Sequence, residues 1–400
     1  MQRSPERRAA GRAPERAALL TVSALAMPFV LSPCGPPIRA QEPAAAPAAP
    51  TAPPAPAAAT APAPPPGWKP GDPIPSLAAA YRGQFLVGAA VTGAMVQGDA
   101  QGFVKYEFNV IVSENEMKPS ALSRGEGKYD FSRADALVDW ANRNGIKVRG
   151  HCLVWHRDEL PWMFTSGSGP PLTGELVAAR MRTYIHDVVG HFKGRVWAWD
   201  VVNEALVAYE PGVDDGSGWR KSGWYRYLGK DYVPLAFQYA HEADPDALLF
   251  YNDYETQSPA KRALIMRLIR TLQAKNIPIH GIGHQSHYSL DWPPARELEA
   301  TIQEVAAAGL RNHVTELDIS LRPRGNGEVP ALTDALKARQ AARWAELFRM
   351  FRRNQDKIDA VLTWGVNVKD SWLGPPDQPL LFSDYVPTAA FWAVLDAAAR

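Results

Sequence analysis

WDVVNEA at 199–205 and VTELDIS at 314–320 are the two stretches that decide how this chain is read. Each contains a short apolar run with β-branched residues, the pattern of a buried strand. Each also places polar residues, carboxylates among them, at or near the strand's exit: Asn203 and Glu204 in the first, Glu316 and Asp318 in the second. A carboxylate in a buried strand costs free energy unless it is paired or functional. A single such glutamate reads as an ion-paired strand residue. Two of them, in comparable positions, point to shared work at one site.

Outward from these stretches the same pattern repeats. Strand-like runs occupy 85–91, 109–112, 147–154, 196–202, 248–251, 281–285, 312–319 and 360–365. Amphipathic stretches with apolar residues three and four apart lie at 134–143, 176–192, 233–243, 260–275, 295–308 and 334–353. Strands that alternate with helices or long loops predict an α/β fold, a single (β/α)8 TIM barrel with its active site at the strands' C-terminal ends. An open doubly wound sheet would instead require a glycine-rich phosphate turn after the first strand, and 87–95 contains no GxGxxG.

The other strand exits carry polar and aromatic residues. VSENEMK at 112–118 supplies Glu114, Asn115 and Lys118, and RGHCLVWH at 149–156 supplies His151, Trp155 and His156. YNDYE at 251–255 supplies Asn252 and Tyr254, and GHQSHY at 283–288 supplies Gln285 and His287. TWGVNVKDSW at 363–372 supplies Trp364 and Trp372. A rim of this kind suits hydroxyl recognition and ring stacking. Two carboxyl groups about 5–5.5 Å apart are what a retaining glycosidase needs, and Glu204 and Glu316 could supply them. No HExxH, paired CxxC or Asp-rich calcium loop is present, so neither a metal nor another cofactor is expected.

Composition narrows the classes further. The chain has 43 basic and 42 acidic residues, a net charge of +1, which argues against a nucleic-acid partner or an anionic membrane. Five arginines within residues 1–16 precede a largely apolar run at 17–31, too short to span a bilayer, and a small-residue cleavage signal ends at Ala40. Residues 1–40 are therefore expected to be a signal segment, 41–66 an Ala/Pro-rich linker, and 67–400 the barrel domain. Export would leave the protein secreted, periplasmic or at the cell surface, as a monomer. Lipidation at Cys34 is a rival exit, although Pro33 suits it poorly.

Taken together, WDVVNEA, TELDIS, ENEMK, RGHxLVWH and WGVxxxxSW resemble the signature blocks of glycoside hydrolase family 10, in order over about 76–398. The resemblance implies a retaining endo-β-1,4-xylanase on a barrel, acting on xylan and xylo-oligosaccharides. It assigns Glu204 as general acid/base, which must carry a proton near neutral pH, and Glu316 as the ionised nucleophile. It also implies a Glu316–His287–Asp318 arrangement. Glu114, Asn115 and Lys118 would bind the glycone xyloses, while His151, Gln285, Trp155, Trp364 and Trp372 would shape the cleavage subsite. Asn203 is expected at the sugar 2-hydroxyl. Lys118 and Trp372 would exclude the hydroxymethyl group that glucose carries and xylose lacks.

Two positions depart from the family pattern. Asp158 stands where a glutamine is usual, and an ion pair with Lys118 is expected of it; Asn367 and Val368 stand in the last loop, where an aspartate is usual. Two alternatives stay open: a retaining barrel glycanase acting on another β-1,4 backbone such as cellulose, and a non-catalytic carbohydrate-binding barrel. The latter would be marked by loss of either glutamate, and both are present.

Overall fold

Eight short strands lie side by side, all parallel, and the last returns to the first. They are β1 (Leu86–Val91), β2 (Val110–Ser113), β3 (Lys147–Trp155), β4 (Ala198–Asn203), β5 (Leu248–Asp253), β6 (Gly281–His284), β7 (Arg311–Ser320) and β8 (Ile358–Thr363). Strand β8 pairs with both β7 and β1, which closes the barrel. The computed structural model describes residues 67–399 apart from 167, 168, 170, 209–215 and 324–326. The expected leader, the Ala/Pro segment and Cys34 lie outside the described residues.

The helices on the outside are α1 (Ser132–Arg143), α2 (Gly174–His191), α3 (Tyr232–Ala243), α4 (Pro259–Ala274), α5 (Ala295–Ala307), α6 (Asp334–Arg353) and α7 (Ala389–Ala399). Two short helices, Gly93–Gln97 and Gln101–Glu107, fill the first crossover, where the sequence pattern pointed only to a connection. Local chemistry sets several starts. The side chains of Thr173, Ser258 and Thr333 accept from backbone N–H groups of the first turns of α2, α4 and α6, and Pro259 follows its cap directly. Among the described residues, no helix is long and apolar enough to cross a membrane.

One strand departs from the expected run in a way that matters. Strand β6 ends at His284, and Ser286 adopts φ +64°. The chain then resumes as a short strand, His287–Ser289, which pairs with the outer end of β7 in the register Asp318↔His287. That break in the ladder sets His287 directly beside Asp318.

The barrel interior is divided. Ala90, Val110, Val112, Ala360 and Leu362 form an apolar patch on the β1, β2 and β8 side. Opposite it, Arg149 on β3 reaches Asp200 on β4 with two hydrogen bonds, at 2.6 and 3.2 Å, and both side chains are fully buried. His151, two residues along β3 and so on the same face, meets Asp200 Oδ2 through Nδ1 at 2.9 Å. The Arg149 Nε donates to Nδ1 of His313 on β7 at 3.1 Å. Removing one member of a buried ion pair leaves the other uncompensated, at a cost of about 3–5 kcal/mol. Arg149→Met should lower unfolding free energy by that order in chemical denaturation, and adding Asp200→Asn should recover part of the loss.

Candidate active site

At the C-terminal mouth, the Glu316 carboxylate is buried within β7 and held at both oxygens. Asn252 Nδ2 donates to Oε1 at 2.8 Å, and His287 Nε2 lies 3.0 Å from Oε2. The orientation of Asn252 is itself determined, because its Oδ1 accepts from Thr315 Oγ1 at 2.7 Å. His287 turns its other nitrogen to Asp318 Oδ2 at 2.9 Å, and that same oxygen accepts from Trp372 Nε1 at 2.8 Å. Burial alone would push the Glu316 carboxyl up. The hydrogen bond from His287, the field of His151 and the Asn252 amide outweigh it and hold the group below the ordinary glutamate range. Burial likewise pulls His287 down, but the charge and hydrogen bond of Asp318, with Glu316, push it up to about 10.

Glu204 stands one residue beyond β4. Its Oε2 accepts from Trp155 Nε1 at 2.9 Å, with His156 Nδ1 at 3.8 Å, and its Oε1 accepts from Gln285 Nε2 at 3.0 Å. The two carboxyl groups are joined through one acceptor, Asn203 Oδ1, which takes Gln285 Nε2 at 3.2 Å and Asn252 Nδ2 at 2.9 Å. A carboxylate held ionised, beside a second carboxyl group among neutral donors, can serve as nucleophile and proton donor at one acetal centre.

Around this pair the structure gathers most of the expected rim. Lys118 Nζ donates to Asn115 Oδ1 at 3.0 Å and lies 5.6 Å from the centroid of the Trp155 ring. Burial raises the Glu114 carboxyl, and Lys118 partly offsets it. His151 packs edge-on to Trp364 with ring centroids 5.5 Å apart. Trp372 is 62% exposed although its N–H is engaged by Asp318, so a broad indole face remains open to a ligand.

One expectation needs correcting. Asp158 does not pair with Lys118; it accepts from the Ser120 backbone N–H at 3.0 Å, in the first turn of the short helix Pro119–Leu122. Those first-turn donors lack intrahelical partners, and a nearby carboxylate satisfies one of them. Tyr254, expected among the substrate-binding residues, is placed beside Arg220 and Lys261. Its hydroxyl takes Arg220 Nη2, and Lys261 Nζ lies 4.3 Å from its ring centroid. Sequence reading missed Arg149, Asp200 and Arg220. The first two stood inside the quoted blocks but were read only as part of the pattern, and nothing local marks Arg220.

Gly283 is a further hidden contributor, since a Cβ there would lie 2.2 Å from Asn252 Oδ1. Gly283→Ala should therefore displace the amide that holds Glu316 and cut turnover severely while the chain still folds, as circular dichroism beside kinetics would show. His287 offers a second check. Its raised folded value means its stabilising contribution is complete below the unfolded value of about 6.5 and is lost as pH climbs through about 10. Asp318→Asn should move the His287 titration, followed by heteronuclear NMR, down toward neutrality.

The model of glycosyl hydrolase family 10 matches residues 76–397. Endo-1,4-beta-xylanase A of Caldicellulosiruptor sp. (strain Rt8B.4) is 41% identical over 332 residues, covering 81% of this chain and 48% of that protein, so the chain spans about half the length of that relative. Beta-1,4-xylanase of Dictyoglomus thermophilum is 39% identical, with 80% of this chain and 91% of that protein covered. The crystal structure of xylanase XynB from Paenibacillus barcinonensis, complexed with a conduramine derivative, superposes with a TM-score of 0.75 at 37% identity. It covers 80% of this chain and 98% of that one. A match that begins at Ser76, ahead of β1, and ends within α7 takes in the whole barrel, and the chain belongs to glycosyl hydrolase family 10.

Proposed function

We infer that this chain hydrolyses internal β-1,4-xylosidic bonds of xylan with retention of anomeric configuration, Glu316 acting as nucleophile and Glu204 as acid/base. Family membership and the named activity of the relatives support the substrate. The observation that carries the assignment of roles is the unequal setting of the two carboxyl groups. Glu316 is held ionised between a cationic His287 and an amide donor, as an attacking carboxylate must be.

In the first step a Glu316 oxygen bonds to the anomeric carbon as the glycosidic bond breaks, and the leaving oxygen takes the proton of Glu204. In the second, Glu204 removes a proton from water, whose oxygen attacks the same carbon and releases Glu316. Glu316 gives up its charge in the intermediate. Asn203 is assigned to the sugar 2-hydroxyl, Glu114, Asn115 and Lys118 to the glycone xyloses, and His151 to the cleavage subsite. Lys118 and Trp372 are assigned to excluding glucose-type units. The arginine-rich and apolar composition of 1–40 supports export, with the enzyme secreted, periplasmic or held at the cell surface.

Glu316→Ala should abolish turnover, and azide should restore part of it as an α-glycosyl azide. Glu204→Ala should keep more activity on substrates with good leaving groups, which need little protonation. Reversed responses would exchange the two roles, and proton NMR showing α-anomers as first products would exclude retention. A rate on carboxymethylcellulose equal to that on xylan would shift the substrate to a glucan.

A further inference from the structure

Glu204 sits on a backbone that its residue type disfavours. Its φ is +57°, in the left-handed region where a side chain crowds the chain and persists only if the surroundings hold it. The strand ladder supplies one tie, Glu204 N–H to Asn252 C=O at 2.9 Å. Three further backbone groups of 204–206 are taken by side chains from outside β4. Arg220 Nε donates to the Glu204 carbonyl at 3.0 Å, Lys261 Nζ donates to the Leu206 carbonyl at 2.7 Å, and the Tyr251 hydroxyl accepts from the Leu206 N–H at 2.9 Å.

These side chains are organised by one buried carboxylate. Asp253 Oδ1 accepts from Lys261 Nζ at 2.8 Å and from the Tyr254 N–H at 2.9 Å, while Oδ2 accepts from the Tyr251 hydroxyl. Arg220 Nη2 donates to the hydroxyl of Tyr254, the residue whose backbone N–H Asp253 holds. Lys261, Asp253 and Tyr251 are each buried from solvent to within 1%. A buried ion pair is no more stabilising than apolar residues of the same volume. Here Lys261 spends its remaining reach on the very segment that presents Glu204.

We propose that Tyr251, Lys261 and Arg220, organised by Asp253, are positioning residues that clamp the backbone of 204–206 and so aim the Glu204 carboxyl at the leaving oxygen. The proposal rests on Glu204 being the acid/base. The clamp grips main chain only, so its loss misplaces the proton donor and leaves the nucleophile's own partners intact.

The test compares kcat/KM on xylan with kcat/KM on 2,4-dinitrophenyl β-xylobioside, whose leaving group needs no proton, in full-chain Tyr251→Phe and Lys261→Met variants. Loss of aim predicts a fall of roughly tenfold or more on xylan and less than about twofold on the aryl substrate, a milder copy of the split in Glu204→Ala. Proportional falls on both substrates would mean a general structural role and overturn the proposal. So would unchanged kinetics in Tyr251→Phe, which removes one oxygen and carries the test alone if Lys261→Met does not fold. Absence of the split in Glu204→Ala itself would instead remove the acid/base assignment, and the clamp with it.

Discussion

Keeping a carboxylate ionised inside the mouth of a barrel is the constraint on which the rest of this structure turns. The charge of Glu316 is sheltered from water, and only directed donors can replace the lost hydration. Asn252 and His287 do so, and neither is free to choose another orientation. Thr315 fixes the amide of Asn252 from one side, and Gly283 leaves the space it occupies. Asp318 holds His287 by its second nitrogen, and Trp372 holds Asp318. Glu316 is thus the innermost of several nested shells, each satisfying the polar atoms of the one before it.

The same demand shapes the barrel interior below. One side is filled by small and branched apolar side chains, and the other carries the Arg149–Asp200 pair. Asp200 of that pair takes Nδ1 of His151, and the field of His151 helps to hold Glu316 ionised. A polar core of this kind is stable only when every member is satisfied, so the residues beneath the site are as constrained as those that line it.

The two glutamates are mounted differently, and the difference suits the roles proposed for them. Glu316 lies within a ten-residue strand, at a shift in its register with β8, and its N–H donates to the Gln285 carbonyl at 3.0 Å. Glu204 lies just past the end of β4, in a left-handed conformation that regular pairing does not impose. A nucleophile needs one position relative to the anomeric carbon. An acid/base must serve a leaving oxygen and then a water, and its support comes from side chains gathered around the strand exit.

Much of this was written in the residue order. Alternating strand and helix patterns dictated a closed α/β barrel, because each amphipathic helix has only a parallel sheet to cover. Glu204 and Glu316 stood out because a carboxylate in an apolar strand has few other uses, and Trp155, Gln285 and His287 stood out by their place at strand exits. Tertiary structure decided what depends on partners distant in sequence. The His287–Asp318 contact, which the family resemblance implied, is made through a break at Ser286 that an apolar run through Gln285 does not announce. Asp158 took a backbone N–H at a helix start, where charge alone had suggested Lys118. Lys261 reads in sequence as an ordinary helix lysine, yet it is buried against Asp253. Period and composition determine which elements form and which face they bury, whereas the partner of a polar side chain is set by barrel closure, which brings together residues far apart in the chain.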